Sequence, residues 1–196
     1  NSPCNWLTGR PFLPAGALQA DGIREEAITT VTDCVFNHCR KPENYTPPLV
    51  LIKEHADLPI AFWEHSFLAY RHHIFGIFPK EMTGREQHAE ALKHFEQEFI
   101  ERREILRGLL HLMGGSRAIV ARATGSSKGN ILALPWPEKG FDFCEWEQAL
   151  IEDLTDGMVE FVQKGENSRL LSTTVSNKDM KLFQQIFLDM LRGVYP

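Results

Sequence analysis

The amino-acid sequence predicts an all-α fold: a single-domain helical bundle of five or six amphipathic helices that follow an extended N-terminal arm. Apolar residues recur at three- and four-residue intervals in several long stretches, and this spacing places them on one face of a helix. Prolines, glycines and pairs of Ser or Thr with an acid three residues later stand near the ends of these stretches, as they do at helix termini. No convincing run of alternating apolar and polar residues indicates a sheet, so we expect helices to pack on helices.

Residues 1–20 are predicted to form the extended arm, because they are rich in residues that interrupt regular structure. These residues are Pro3, Pro11, Pro14 and Gly16. The helical domain is then predicted to span 21–196, with a first helix that begins at Asp21 and ends before Pro42. The apolar stripe of that helix is Ile23, Ala27, Val31, Cys34 and Val35. The run PPLVLIKEH that follows is compatible with either helical turns or a strand.

A second helix is predicted within FWEHSFLAYRHHIFGIFP, the stretch from Phe62 to Pro79, and is expected to end before the final GIFP. Asp57 stands at its N-cap position and Pro59 in its first turn, where the missing N–H of proline is tolerated. Helical spacing makes this segment aromatic or apolar over most of its circumference. Such a helix is either buried on two sides or docks a partner.

Three further helices are predicted over about 83–113, 146–165 and 176–194, each with an apolar stripe at helical spacing. Thr83 and Glu86 form a capping box at the start of the first of these, in which each side chain accepts a hydrogen bond from a backbone N–H of the first turn. Glycines follow the ends of the first two segments and predict their termination there.

The composition indicates an ordinary globular protein. With 196 residues, 43% of them hydrophobic, the chain can bury a core without a disulfide or a metal ion. Four cysteines at irregular spacing predict reduced thiols. No apolar run is long enough to span a bilayer and no signal peptide is evident. We therefore expect a cytoplasmic protein with no membrane insertion and no cofactor.

The aromatic segment favours a protein partner, because aromatic residues are enriched at interfaces. The residues predicted to bind the partner are Trp63, Phe67, Tyr70, Phe75 and Phe78. The leading interpretation is a non-enzymatic helical interaction protein, such as an adaptor, a chaperone-like protein or an assembly subunit. The sequence leaves the partner and the oligomeric state open.

A second interpretation is a DNA-binding regulator with a helix-turn-helix at about 117–134. In this segment Gly125 stands at the turn between two short apolar patterns, as in such motifs. No acid occurs from Ile105 to Pro137, although the net charge of the chain is −5. The piece GSSKGNIL resembles the turn of TetR-type regulators over about a dozen residues. The residues predicted to contact nucleic acid are Arg117, Arg122, Ser126, Ser127 and Lys128.

A third interpretation is a metal-dependent enzyme in a helical bundle, because histidines and carboxylates are concentrated between residues 54 and 101. The predicted ligands are Glu64, His65, Glu90 and His94. Glu90 and His94 are four residues apart and would share a helix face. No Glu-x-x-His occurs in the chain, although inward-facing pairs of that spacing are typical of di-iron bundles.

Overall fold

The computed structural model describes residues 4–32, 40–78, 84–114, 128–136 and 141–166. The chain divides into two compact units, one ending at Arg102 and the other beginning at Arg103. The first unit combines β-sheets with one helix, and the described part of the second is helical. The prediction of an all-α helical bundle is therefore wrong, because the first unit buries its apolar residues in sheets.

The strands of the N-terminal unit are short. They are β1 (Pro11–Leu13), β2 (Leu18–Gln19), β3 (Gly22–Ile23), β4 (Thr29–Thr30), β5 (Leu49–Lys53), β6 (Ile60–Trp63), β7 (Ala69–Tyr70) and β8 (Ile74–Ile77). Short 3₁₀ helices precede or separate them, at Asn5–Leu7, Ala15–Ala17, Glu25–Ala27 and Pro42–Tyr45. Residues 4–20, predicted to be an extended arm, thus include strands β1 and β2.

The largest sheet has the strand order β6-β5-β8, and both pairings are antiparallel. Its central strand β5 has the sequence LVLIK, whose first four side chains are buried. β-Branched and large aliphatic residues favour such a strand. Leu51 lies opposite Ala61 of β6 on one side and Gly76 of β8 on the other. The run for which the sequence left helix and strand open is therefore the centre of this sheet.

Two smaller sheets complete the β-structure that the model describes. One has the order β4-β1-β7, in which β1 runs antiparallel to β4 and parallel to β7. The other pairs β2 with β3 in antiparallel register. The main core cluster contains Leu7, Leu13, Leu49, Tyr45 and Tyr70, so it joins residues from the first turn to β7.

Helix α1 (Arg85–Glu101) packs against β6 and β5. The carboxylate of Glu96 accepts a hydrogen bond from the backbone N–H of Phe62, with a nitrogen-to-oxygen distance of 2.8 Å. Phe99, one turn further along the helix, is buried. Within the described residues, β6 pairs only with β5, so α1 covers part of an edge strand.

Two predicted helices are wrong. The stretch from Phe62 to Pro79 contains the end of β6 followed by β7 and β8, up to residue 78. The helix predicted from Asp21 contains β3, a 3₁₀ helix and β4. In both segments the apolar residues enter the same core from strands and turns. Their spacing therefore arose from sheet packing, not from one helix face.

The C-terminal unit contains α2 (Arg103–Gly114), α3 (Lys128–Leu132) and α4 (Glu145–Glu166). Leu109 of α2 and Ile151 of α4 form its buried centre. Partly buried apolar residues surround that pair, namely Ile105, Leu134, Phe141, Phe143 and Leu154. The predicted helix at 146–165 is confirmed. The one predicted at 83–113 is present as two helices, and the one at 176–194 lies outside the described residues.

Cys4 is disulfide-bonded, whereas Cys144 is a free, exposed thiol. The prediction that the cysteines are reduced is therefore wrong for Cys4. In the described segments, no helix has both the length and the apolar character needed to cross a bilayer. The lack of membrane insertion and the cytoplasmic location stay predictions.

Candidate functional site

Four aromatic rings lie against one another at the surface of the N-terminal unit. Trp6 lies in the 3₁₀ helix Asn5–Leu7, and Tyr45 ends the 3₁₀ helix Pro42–Tyr45. Phe67 lies in the loop after β6, and Tyr70 lies in β7. The Trp6 ring centroid lies 6.0 Å from the centroids of both Tyr45 and Phe67. Tyr45 lies 5.6 Å from Phe67 and 5.2 Å from Tyr70. Tilted and edge-on pairs at such distances are favourable contacts.

The four rings differ in depth. Tyr45 and Tyr70 are each only 1% exposed, Phe67 is half-buried, and Trp6 is 38% exposed. The two tyrosines therefore form a floor, and Trp6 and Phe67 present apolar area to solvent above it.

Hydrogen bonds and burial fix the floor. The Tyr70 hydroxyl donates to the carbonyl oxygen of Asn44 at 2.7 Å. Burial raises the pKa of Tyr70 to about 12, against the opposing influence of the Arg40 guanidinium. Burial likewise raises the pKa of Tyr45. Both tyrosines are consequently neutral at physiological pH, and their rings serve as rigid apolar supports.

Two arginines flank the aromatic rings. The guanidinium carbon of Arg10 lies 5.2 Å from the ring centroid of Phe67, and that of Arg40 lies 5.4 Å from the centroid of Tyr70. These distances are within the range of cation–π attraction. Both arginines are exposed. We call the exposed set of Trp6, Phe67, Arg10 and Arg40 the Trp6–Phe67 surface.

Gly76 of β8 makes room for the floor. A Cβ at this position would overlap the hydroxyl of Tyr70 and lie 2.8 Å from its Cζ. The backbone of Gly76 also hydrogen-bonds to that hydroxyl. The position of Tyr70 beneath the exposed rings thus requires glycine at residue 76 of β8.

The structure separates the five residues predicted to bind a partner. Trp63, Tyr70 and Phe75 are buried, and the indole N–H of Trp63 donates to the carbonyl oxygen of Ser66 at 2.7 Å. Phe78 is 36% exposed at the end of β8. Phe67 alone of the five contributes exposed area to the Trp6–Phe67 surface. The helix face that was predicted to unite them does not exist.

The predicted metal ligands are spread over two elements. Glu64 and His65 follow β6, where the His65 ring packs edge-on against Trp63 at 4.9 Å. Glu90 and His94 lie on α1, where His94 Nε2 is 3.8 Å from a carboxylate oxygen of Glu98. Among the residues that the model describes, no three His, Cys, Asp or Glu side chains are grouped to hold a metal ion.

The predicted helix-turn-helix falls largely outside the described residues. Arg117, Arg122, Ser126 and Ser127 are among those not described, and Lys128 is the first residue of α3. The nucleic-acid interpretation of this segment therefore stays a prediction.

A cleft of about 390 Å³ lies between α2 and α4 in the C-terminal unit. Its polar lining includes Arg107, His111 and Thr155. Arg107 forms an ion pair with Glu104 of its own helix at 2.8 Å, and Thr155 donates to the carbonyl oxygen of Ile151. These contacts engage two of the polar groups within the unit itself, and the cleft presents no exposed aromatic ring among its lining residues, so it is a weaker candidate than the Trp6–Phe67 surface.

Arg10, Arg40 and Tyr45 were not predicted as parts of a site. Their contacts join segments that are far apart in the chain, and no local spacing relates them. The Arg10 and Trp6 pair in the turn before β1 was the available signal, because arginine and tryptophan are the residues most enriched at binding surfaces.

Comparison of the chain with protein-family models, with curated proteins and with solved structures found no match.

Proposed function

We propose that this chain is a protein-interaction module that binds a partner protein through the Trp6–Phe67 surface. The observation that carries the proposal is an exposed tryptophan that packs on the buried Tyr45, which in turn packs on the buried Tyr70. Tryptophan, tyrosine and arginine are the residues that most often dominate binding energy at protein interfaces.

The rigidity of the surface supports this role. Trp6 makes ring contacts with two neighbours, and the residue after it, Leu7, is fully buried. The Cys4 disulfide lies two residues before Trp6. A side chain already held in place loses little conformational freedom on binding, and this raises affinity.

Single-stranded nucleic acid also binds surfaces made of aromatic and arginine side chains. Two arginines flank the exposed rings in the described part of the chain, whereas sequence-independent affinity for nucleic acid comes from many phosphate contacts by Lys and Arg. A protein partner therefore fits the surface better.

Peptide selection tests the proposal. Random peptides displayed on phage are selected on the immobilised full chain, and the enriched sequences are synthesised and titrated by fluorescence anisotropy. We expect Trp6→Ala to weaken their binding about 10-fold or more, as for an interface residue that dominates affinity. Trp146→Ala is the matched control, because Trp146 is 59% exposed in the other unit, and it should leave binding unchanged.

Peptides that bind Trp6→Ala as tightly as the wild type, or a selection without enrichment, would overturn the proposal. Thermal unfolding of each variant shows whether it remains folded. If Trp6→Ala unfolds the unit, Arg10→Ala takes its place, because it removes an exposed side chain from the same surface.

A further inference from the structure

We infer that the segment bound by the Trp6–Phe67 surface is an acidic, extended peptide with carboxylates on both sides of an apolar residue. This inference rests on the proposed function and specifies the chemistry of the partner. It follows from the arrangement of positive charge around the exposed rings.

Arg10 supplies the first cation. Its guanidinium carbon lies over the Phe67 ring, 5.2 Å from the ring centroid. In the described part of the chain, no carboxylate lies within ion-pair distance of Arg10. A guanidinium stacked on a ring still has N–H groups along its edges, and these match the two oxygens of a carboxylate.

Arg40 supplies the second cation, at the far side of the floor. It lies over Tyr70, which is connected to Phe67 through Tyr45 at ring distances of 5.2 and 5.6 Å. Lys41 follows Arg40 and is also exposed. The apolar area of the surface is thus bordered by positive charge at two ends.

The separation of these ends suits an extended chain. A strand advances about 3.3 Å per residue and directs alternate side chains to one face. The two ring separations, 5.2 and 5.6 Å, together correspond to about three residues of an extended peptide. Its central apolar side chain would pack on Trp6 and Phe67, and acids on either side would reach Arg10 and Arg40.

Other charges in the described residues do not reverse this pattern. Asp21 and Glu43 are the described acids closest in sequence to Arg10 and Arg40, and both acids are exposed. Neither forms an ion pair with either arginine within the described segments. The Arg40 side chain also hydrogen-bonds to the Tyr70 hydroxyl, and its remaining N–H groups can still bind a carboxylate. A basic peptide would instead meet two like charges beside the exposed rings.

The residue content of the selected peptides is the first test, and charge exchange is the second. We expect the selection to enrich Asp and Glu beside an aromatic or branched aliphatic residue. Replacing those acids by Asn and Gln in the labelled peptide should weaken binding about 10-fold, since two charge-assisted hydrogen bonds are lost. Arg10→Glu should weaken binding of the acidic peptide by a similar factor and leave the amide version nearly unchanged. Arg24→Glu is the matched control, because Arg24 is exposed in the same unit and belongs to none of the cation–π contacts of the surface.

The results distinguish failure of the acidic-peptide proposal from failure of the interaction function. Selected peptides without acids, or equal affinity for the acidic and amide versions with dependence on Trp6 retained, would overturn the acidic partner and leave the interaction function standing. Loss of all dependence on Trp6 would overturn both. A labelled single-stranded oligothymidylate is titrated in parallel. Tighter binding of this oligonucleotide, falling steeply with salt and abolished by Trp6→Ala, would replace the peptide by nucleic acid.

Discussion

Replacing Gly76 with alanine should destabilise the N-terminal unit through one defined collision. The new Cβ would overlap the hydroxyl of Tyr70 and lie 2.8 Å from Cζ, both closer than van der Waals contact permits. Relief requires Tyr70 to move, which strains its packing and breaks its hydrogen bond to Asn44. Overpacking of a core costs about 1–3 kcal/mol and an unsatisfied buried hydroxyl a similar amount. Because these effects overlap, we expect the free energy of unfolding to fall by about 2–4 kcal/mol.

Urea denaturation of four proteins measures this effect: the wild type, Gly76→Ala, Tyr70→Phe and the double variant. Removing the hydroxyl eliminates the closest contact, so the double variant should be at least about 1 kcal/mol more stable than the sum of the single changes predicts. Gly16→Ala is the control, because a Cβ at Gly16 would meet no atom within 4 Å. A Gly76→Ala protein as stable as Gly16→Ala, or strictly additive single changes, would refute the collision between Gly76 and Tyr70.

Three other changes probe the rest of the fold. Cys4→Ser should lower the free energy of unfolding by about 2–5 kcal/mol, and a reductant should bring the wild type to the same stability; equal stability with and without reductant would contradict this. Gly108→Ala should destabilise the C-terminal unit by about 1–3 kcal/mol despite the higher helix propensity of alanine, because its Cβ would lie 2.8 Å from a side chain of α4; an unchanged melting temperature would show that the two helices separate freely. The raised pKa of Tyr70, about 12 in the folded protein, means that the unfolded chain loses its proton first as the pH rises above about 10. Stability should therefore fall between about pH 10 and 12, and Tyr70→Phe should reduce that fall in a denaturation series.

The helical segments of α1, α2 and α4 could be predicted from sequence, and the sheets of the N-terminal unit could not. In α4 the apolar residues keep helical spacing among many charged ones, and that pattern has one explanation. In β6 three of four side chains are buried, so the strand shows no alternation. A short, wholly apolar strand cannot be distinguished from a buried helix by periodicity.

No typical turn residue marked the boundary before β8, in the segment between Phe62 and Pro79. His72 and His73 have positive φ angles of 33° and 58° just before β8, a conformation that glycine and asparagine usually mark. Because histidines occupy these positions, the sequence did not indicate the turn before β8. The grouping of the aromatic rings was not predicted for a different reason, because Trp6, Tyr45 and Phe67 meet only after the strands between them have packed.

The packing of helix α1 on β6 also affects association between chains. An edge strand offers unpaired N–H and C=O groups to any strand that approaches it, which is the starting geometry of aggregation. On β6 the carboxylate of Glu96 already occupies one such N–H, so an incoming strand would find that donor taken and would have to dehydrate a negative charge. A shortened chain that ends before α1 would expose this edge and should be prone to intermolecular sheet formation. Resistance to aggregation through β6 should thus depend on a helix that supplies no residue to the Trp6–Phe67 surface.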